Sequence, residues 1–462
     1  MSIRTSPRRI VSPRLTLSLI ACVFAVSLCE TRGAQPVMVG IGDSIGEGVQ
    51  TRDANFLTQP NSYQALIARQ IGAPFPLPLI NTTPFSSVGE VDFRTRVDPS
   101  VVSFNLSVSG AKVGDVLRDR ADALSPAQFD SELDLVQFPK LGSQIEIAEA
   151  LKPKAAIVWI GNNDSLGSVI SFDQLDGVSG LTPVDEFEAD FYELVERLDA
   201  ADIYAIYGNM PNVTSIGFLV SRADMIYFTG SDQGLAEGDF TTIIAMLLIR
   251  LGLDDATLLE DPDWVLDAAE AVGINERITV FNKIVAEAAA SVGAPVVNLN
   301  KLLVDSVKNP PVFFGRPIIR RFTGGIFSLD GFHPSNITQA MIANAFIDRT
   351  SASLGVPLPR IGDLQMALIA LQDPFFDRDG DGRVAGRLGA GLFETVMFLA
   401  GFSGDFFDFP AFATRNRGVD VPQTDGSLFR RALLPSKGNG PPTEEDRQRA
   451  IEIFKYALGL TD

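Results

Sequence analysis

A chain of 462 residues, 46% hydrophobic and 21% charged, holds enough apolar material for one large core with an appendage. Its formal charge of −19 and pI near 4.6, with no basic run in the part that would fold, exclude partners bound through phosphate or anionic headgroups. Nucleic acid is therefore not an expected partner.

The first segment, 1–34, reads as an export signal, because Arg4, Arg8, Arg9 and Arg14 precede an apolar stretch from Leu15 to Leu28. That stretch is too short for a membrane span, and a buried N-terminal helix would not need positive charge on one side only. Removal would take five arginines and one glutamate, leaving a still more acidic chain, secreted or periplasmic, with no stable transmembrane span. Cys22 and Cys29 both lie in this segment, so no disulfide holds the mature fold. Leu19-Ile20-Ala21-Cys22 resembles the lipobox of bacterial lipoproteins, which makes a lipid anchor through Cys22 the alternative, although apolar Val23 to Leu28 would then open the mature chain.

From Val37 onward, short apolar runs alternate with amphipathic stretches: Val37 to Ile41, then Tyr63 to Ile71, Ala155 to Ile160, Ile203 to Tyr207, and Pro295 to Leu299 after a helical repeat from Ile278 to Ala290. Runs this short and this apolar read as buried parallel strands, and a three-layer α/β fold follows. Two regions break the alternation. Residues 215–265 carry an almost wholly apolar helix candidate, Phe240 to Leu253, and residues 357–462 form a Phe-rich tail punctuated by Gly and Pro, including a loop at Lys437 to Pro442.

Gly42-Asp43-Ser44 follows the first strand and is itself followed by Gly46 and Gly48. Alone it is ordinary turn composition, in which a serine bonds the local backbone. Asn105 to Gly110 ends another apolar run, and Gly161-Asn162-Asn163-Asp164 follows the strand at Ile160. Asp330-Gly331-Phe332-His333 sets a carboxylate three residues before the only histidine in the chain, within reach of its Nδ1. A surface histidine after a tight turn would look the same; but a serine hydroxyl needs a base at neutral pH, and any Ser–His mechanism here must use His333. Ester hydrolysis also builds negative charge on the carbonyl oxygen, for which the N–H groups of Ser44 and Gly110 and the Asn163 amide would be donors.

In the tail, Asp377-Arg378-Asp379-Gly380-Asp381-Gly382-Arg383 has the 1, 3, 5 carboxylates and the position-6 glycine of a calcium loop, while position 12 is Leu388. It resembles a single dockerin- or EF-hand-like half-site, a weak structural calcium site through Asp377, Asp379 and Asp381, or else an acidic turn.

Taken together, "GDS" with Gly48, "NLSVSG", "GNND", "NMPNVT" at 209–214 and "DGFHP" resemble the sequence blocks of the GDSL or SGNH hydrolases over roughly residues 36–350. The resemblance implies a flavodoxin-like αβα sandwich over 35–356 and an ester hydrolase without a required cofactor. Ser44 would be nucleophile and first oxyanion donor, Gly110 and Asn163 the other donors, His333 the base and Asp330 its orienter. Gly42 to Gly46 also fits the G-x-S-x-G elbow of α/β-hydrolases, but that fold sets several strands before its elbow, and here only one, Gln35 to Ile41, would precede it. If the apolar helix of 240–253 caps the site, the substrates are medium- or long-chain acyl esters. The alternatives are a polysaccharide O-deacetylase of the same fold and an inactive surface binding protein.

Overall fold

The computed structural model describes residues 36–82, 94–167, 169, 175, 177–252 and 254–385. The export segment with its two cysteines, Leu388 and the loop at 437–442 lie outside the described residues.

Four parallel strands form the central sheet: β1 (Met38–Gly42), β2 (Ala155–Trp159), β3 (Tyr204–Gly208) and β4 (Val296–Val297), in the order β1-β2-β3-β4. The segment 104–108 runs beside the outer edge of β1, with Gly40 N–H bonded to Phe104 O at 2.9 Å and Leu106 N–H to Gly40 O at 2.8 Å. Each strand buries both faces, which is why the sequence shows unbroken apolar runs.

Alternate side chains go to opposite layers. Val39, Ile41, Ala156, Val158, Ala205 and Tyr207 join the larger core, while Met38, Ile157, Trp159 and Ile206 join the smaller one. The larger core is roofed by helices Gln144–Leu151, Val184–Ala200 and Ala268–Ser291, with Phe187 stacked on Phe281 at 4.1 Å between ring centroids. On the other face Tyr63–Ile71 packs against Asn336–Leu354, with Tyr63 stacked on Phe346 at 5.3 Å and edge-on to Trp159 at 5.7 Å. Three layers result, as the alternation of runs predicts.

The helix expected from Phe240 begins three residues later. Phe240–Thr242 is the middle strand of a three-stranded antiparallel ribbon with Leu219–Ser221 and Val265–Leu266. The Thr242 side chain accepts the Ala245 N–H, starting the helix Ile243–Arg250. Every residue from Ile243 to Ile249 is buried, inside the larger core. The apolar helix is thus interior to an enlarged core.

The described part of the tail continues that core instead of leaving it. Helix Asp363–Gln372 follows Asn336–Leu354 closely, Asp373 Oδ2 accepts the Ile337 N–H at 2.8 Å, and Phe375 and Phe376 are buried in the larger cluster. Among the described residues, no helix is long and apolar enough to cross a membrane.

Candidate active site

β1 delivers Ser44. Gly42, its last residue, has both backbone groups taken by one side chain: Gln144 Oε1 accepts its N–H at 3.1 Å and Gln144 Nε2 donates to its carbonyl at 3.0 Å. Asp43 then caps the one-turn helix Ser44–Glu47, its Oδ1 accepting the Ile45 N–H at 3.0 Å. A helix leaves the N–H groups of its first residues without an internal partner, and this cap uses that of Ile45 rather than that of Ser44. Ser44 stands half-buried among fully buried neighbours.

The second turn of the segment reaches the histidine loop. Gln50 and Asp53 exchange backbone hydrogen bonds at 3.0 and 3.1 Å, closing a turn whose two central residues, Thr51 (φ 55) and Arg52 (φ 58), both sit in the left-handed region. Two adjacent non-glycine residues there cost on the order of 1–3 kcal/mol each. The strained turn offers its N–H groups to the opposite loop: Thr51 N–H to Ser328 Oγ at 2.9 Å and Arg52 N–H to Asp330 Oδ2 at 2.8 Å. Gln50 Nε2 donates to Asn336 Oδ1 at 2.8 Å, and Gln339 Nε2 to Ile45 O at 3.2 Å.

On that loop Asp330 Oδ2 meets His333 Nδ1 at 2.7 Å, while Asp330 Oδ1 accepts the His333 backbone N–H at 2.9 Å and the Ser328 hydroxyl at 3.0 Å. Burial alone would raise Asp330; the His333 charge and the donors from His333 and Arg52 outweigh it and hold the carboxyl below its ordinary range. His333 Nε2 is buried and makes no hydrogen bond among the described residues. Ser44 Oγ is thus not bonded to it in this state, and catalytic hydrogen bonds are often long before substrate arrives. The imidazole still acts electrostatically on Asp43 and Glu47, in the same turn as Ser44.

Three consecutive residues after β2 tie the neighbouring loops together. Asn162 Nδ2 donates to Asp43 Oδ2 at 2.8 Å, Asn163 Nδ2 to Ala111 O at 2.8 Å, and Asp164 Oδ2 accepts the Val113 N–H at 3.1 Å. One amide hydrogen of Asn163 is used in that bond, and its second can serve a ligand. Gly110 has φ 80, and a Cβ placed on it would meet nothing within 4 Å, so the chain there faces open space. Burial pushes Asp43 up to about 6 against the bonds from Asn162 and Ile45, and Asp164 up to about 6 against the Val113 N–H.

Sequence reading named Ser44, Gly110, Asn163, Asp330 and His333, and these loops meet at the carboxyl edge of the sheet. It passed over Asn162, Asp164, Glu47, Ser109 and the Thr51–Arg52 turn. The run of three polar residues after a buried strand was the available signal for the first two. The loop 209–214, at the same sheet edge, lies beside Gly161 and is held by the helix Ala268–Ser291: Asn282 Oδ1 accepts the Met210 N–H at 2.8 Å and Asn275 Oδ1 that of Val213 at 3.0 Å.

In the acidic loop, Asp377, Asp379 and Asp381 each bring a carboxylate oxygen within 4.8 Å of the others. Asp377 accepts the Gly380 N–H at 2.7 Å and the Gly382 N–H at 2.9 Å, and Arg316 donates to the Asp379 carbonyl. These residues have the oxygen chemistry of a hard cation such as calcium.

A serine on the turn after the first parallel strand, and an Asp–x–x–His loop just before a late helix of the sandwich, are arranged as in the SGNH class of αβα hydrolases. Residues 38–346 match the GDSL-like Lipase/Acylhydrolase family, and the chain belongs to that family, whose members are carboxylic ester hydrolases. No curated protein sequence matches it. Among solved structures it is similar to LAE5, an α/β hydrolase from the metagenome of Lake Arreo, Spain, at 16% identity, covering 70% of this chain and 96% of that one with a TM-score of 0.34. It is similar also to a variant of Axe2, an acetyl xylan esterase from Geobacillus stearothermophilus (15%, 71% and 98%, TM-score 0.34), and to the psychrotrophic esterase EstA from Pseudoalteromonas sp. (12%, 69% and 99%, TM-score 0.32).

Proposed function

We propose that the chain is an exported serine ester hydrolase that works through an acyl-enzyme without a cofactor. Ser44 Oγ attacks the ester carbonyl carbon as its proton passes to His333 Nε2; the tetrahedral oxyanion is met by the N–H groups of Ser44 and Gly110 and by the Asn163 amide. Collapse expels the alcohol, which takes the proton from His333, and water activated by the same nitrogen releases the acid. The observation that carries this reading is the orientation of His333, the only histidine, whose Nδ1 is held by the buried Asp330 carboxylate at 2.7 Å, which leaves Nε2 as the nitrogen that can act as base. A fluorophosphonate probe should label Ser44 in the wild type and fail to label Ser44→Ala; a labelled Ser44→Ala would overturn the assignment.

The preference for medium- or long-chain acyl groups expected from sequence rested on the helix at 243–250 serving as a cap. Its side chains are filled by the protein's own core, so they offer an acyl chain no wall. The insert does touch the site, since Phe218 O accepts the Ile243 N–H at 3.0 Å and Gly331 O accepts the Phe218 N–H at 2.8 Å. What it brings there is Phe218, edge-on at 5.9 Å to Phe332, the half-buried ring that precedes His333 on the histidine loop. That favours the second reading, esters of acetyl or other short acyl groups, O-acetylated polysaccharide among them. With about 0.8 kcal/mol per buried methylene, kcat/KM across a p-nitrophenyl ester series should stop rising after the few carbons that Phe332 can cover; a continued rise to long chains would restore the first reading.

A further inference from the structure

We propose that Glu47 is a positioning residue for the oxyanion hole, an inference that rests on the reading of Ser44 and Gly110 above and deepens it. Ser44 and Gly110 stand on loops far apart in sequence, and an oxyanion hole works only if its donors are fixed before charge develops. Asn163 ties itself to the Gly110 loop through Ala111. From the nucleophile's own turn the Gly46 carbonyl accepts Asn105 Nδ2 at 2.8 Å, and Glu47, at the end of the same one-turn helix, reaches the residue next to Gly110 itself.

The Glu47 side chain is completely buried, and its Oε2 accepts two donors from one residue: the Ser109 backbone N–H at 2.8 Å and the Ser109 hydroxyl. Ser109 immediately precedes Gly110. A carboxylate that grips both groups of one residue fixes the peptide that follows, and that peptide carries the Gly110 N–H. The charge of Arg94, a buried residue ion-paired with Glu132, also acts on this carboxyl. Burial raises Glu47, against the pull of Arg94 and of the Ser109 donors.

Burying this carboxyl completely carries a desolvation cost that two donors from Ser109 offset. What the carboxylate supplies is direction. The Gly110 backbone has φ 80 and open space beside its Cα, in a turn closed by the Ala111 N–H to Val108 O bond at 3.2 Å. The bonds from Glu47 to Ser109 anchor that turn to the nucleophile's own helix.

The test compares Ser109→Ala, Glu47→Ala and Glu47→Gln, each read by kcat, KM and the affinity of a trifluoromethyl ketone, whose hemiketal oxyanion occupies the hole. Ser109→Ala keeps the backbone bond and loses the hydroxyl bond; kcat should fall about three- to tenfold with KM unchanged. Glu47→Ala should fall further, up to about the 10²-fold that removal of one oxyanion donor costs, with ketone affinity falling in parallel. Glu47→Gln, which still presents an oxygen to Ser109, should recover most of that loss. If Glu47→Ala does not fold, Ser109→Ala decides: an unchanged kcat and unchanged ketone affinity there overturn the inference. Losses that appear in KM alone overturn it as well. Failure of the underlying reading would look different, because then Ser44→Ala would itself retain turnover.

Discussion

The carboxylates around Ser44 and those at 377–381 are both clustered on loops, yet they are held in opposite ways. Asp43, Glu47, Asp164 and Asp330 are buried and bonded to groups remote in the chain: Asn162, Ser109, Val113 and Arg52. Asp377, Asp379 and Asp381 bond to N–H groups within five residues of themselves, and the last two are exposed. The first group joins loops to one another and can hold catalytic geometry; the second shapes only its own turn. A sequence motif can match well in both cases, and what separates them is whether distant residues complete it.

The strongest way to break that contrast is to remove the groups at its centre. Ser44→Ala and His333→Ala should each reduce kcat by several orders of magnitude, and the double variant should be no worse than either, because the two act as one unit. Near wild-type turnover in His333→Ala would end the argument, since no second histidine exists to replace it. Asn163→Ala should lower kcat by on the order of 10²–10³ with little change in KM, as expected for a donor engaged mainly in the transition state. A change confined to KM would make Asn163 a substrate-positioning group.

Burial near the same turn can be tested by pH through Asp53, the buried carboxyl that closes the Thr51–Arg52 turn. Burial, against the charge of Arg94 and the Asn55 amide, pushes Asp53 up to about 7. The folded chain thus keeps a proton that the unfolded chain releases near the ordinary carboxylate value. The stability this supplies is complete below that ordinary value and is lost as pH rises towards 7. Asp53→Asn, which cannot ionise, should gain Tm relative to wild type by several degrees between pH 4 and pH 8. A constant difference across that range would show that Asp53 titrates normally.

The smallest effect belongs to the acidic loop. At calcium concentrations near Kd, a site that binds only the folded chain adds about 0.4 kcal/mol, roughly half a degree in Tm for a chain of this size. EDTA should leave turnover intact; loss of turnover in chelator would contradict a metal-independent mechanism.

Much of the fold was legible because the strands are buried on both faces, and such runs as Ala155 to Ile160 announce themselves. The helix expected at Ile278 to Ala290 starts at Ala268, where Asp267 and Glu270 form a capping box that the sequence displays and periodicity alone overlooks. The helix at 243–250 posed the opposite problem. Its composition shows that it must be covered on every side, but whether protein or ligand covers it depends on packing, which no single stretch encodes. The same limit explains the site. Ser44, His333 and Asn163 were readable because the chemistry demands those residue types, whereas Glu47 and Arg52 gain their roles from bonds spanning 62 and 278 positions.

That His333 is the sole imidazole in the chain makes the enzyme its own reporter. In an untagged protein labelled with nitrogen-15 at histidine, every ring signal in the spectrum would come from one group, with no assignment needed. The proton shared with Asp330 would give one far-downfield line, and its response to an inhibitor bound at Ser44 would record, atom by atom, how the ring charges as the hole fills.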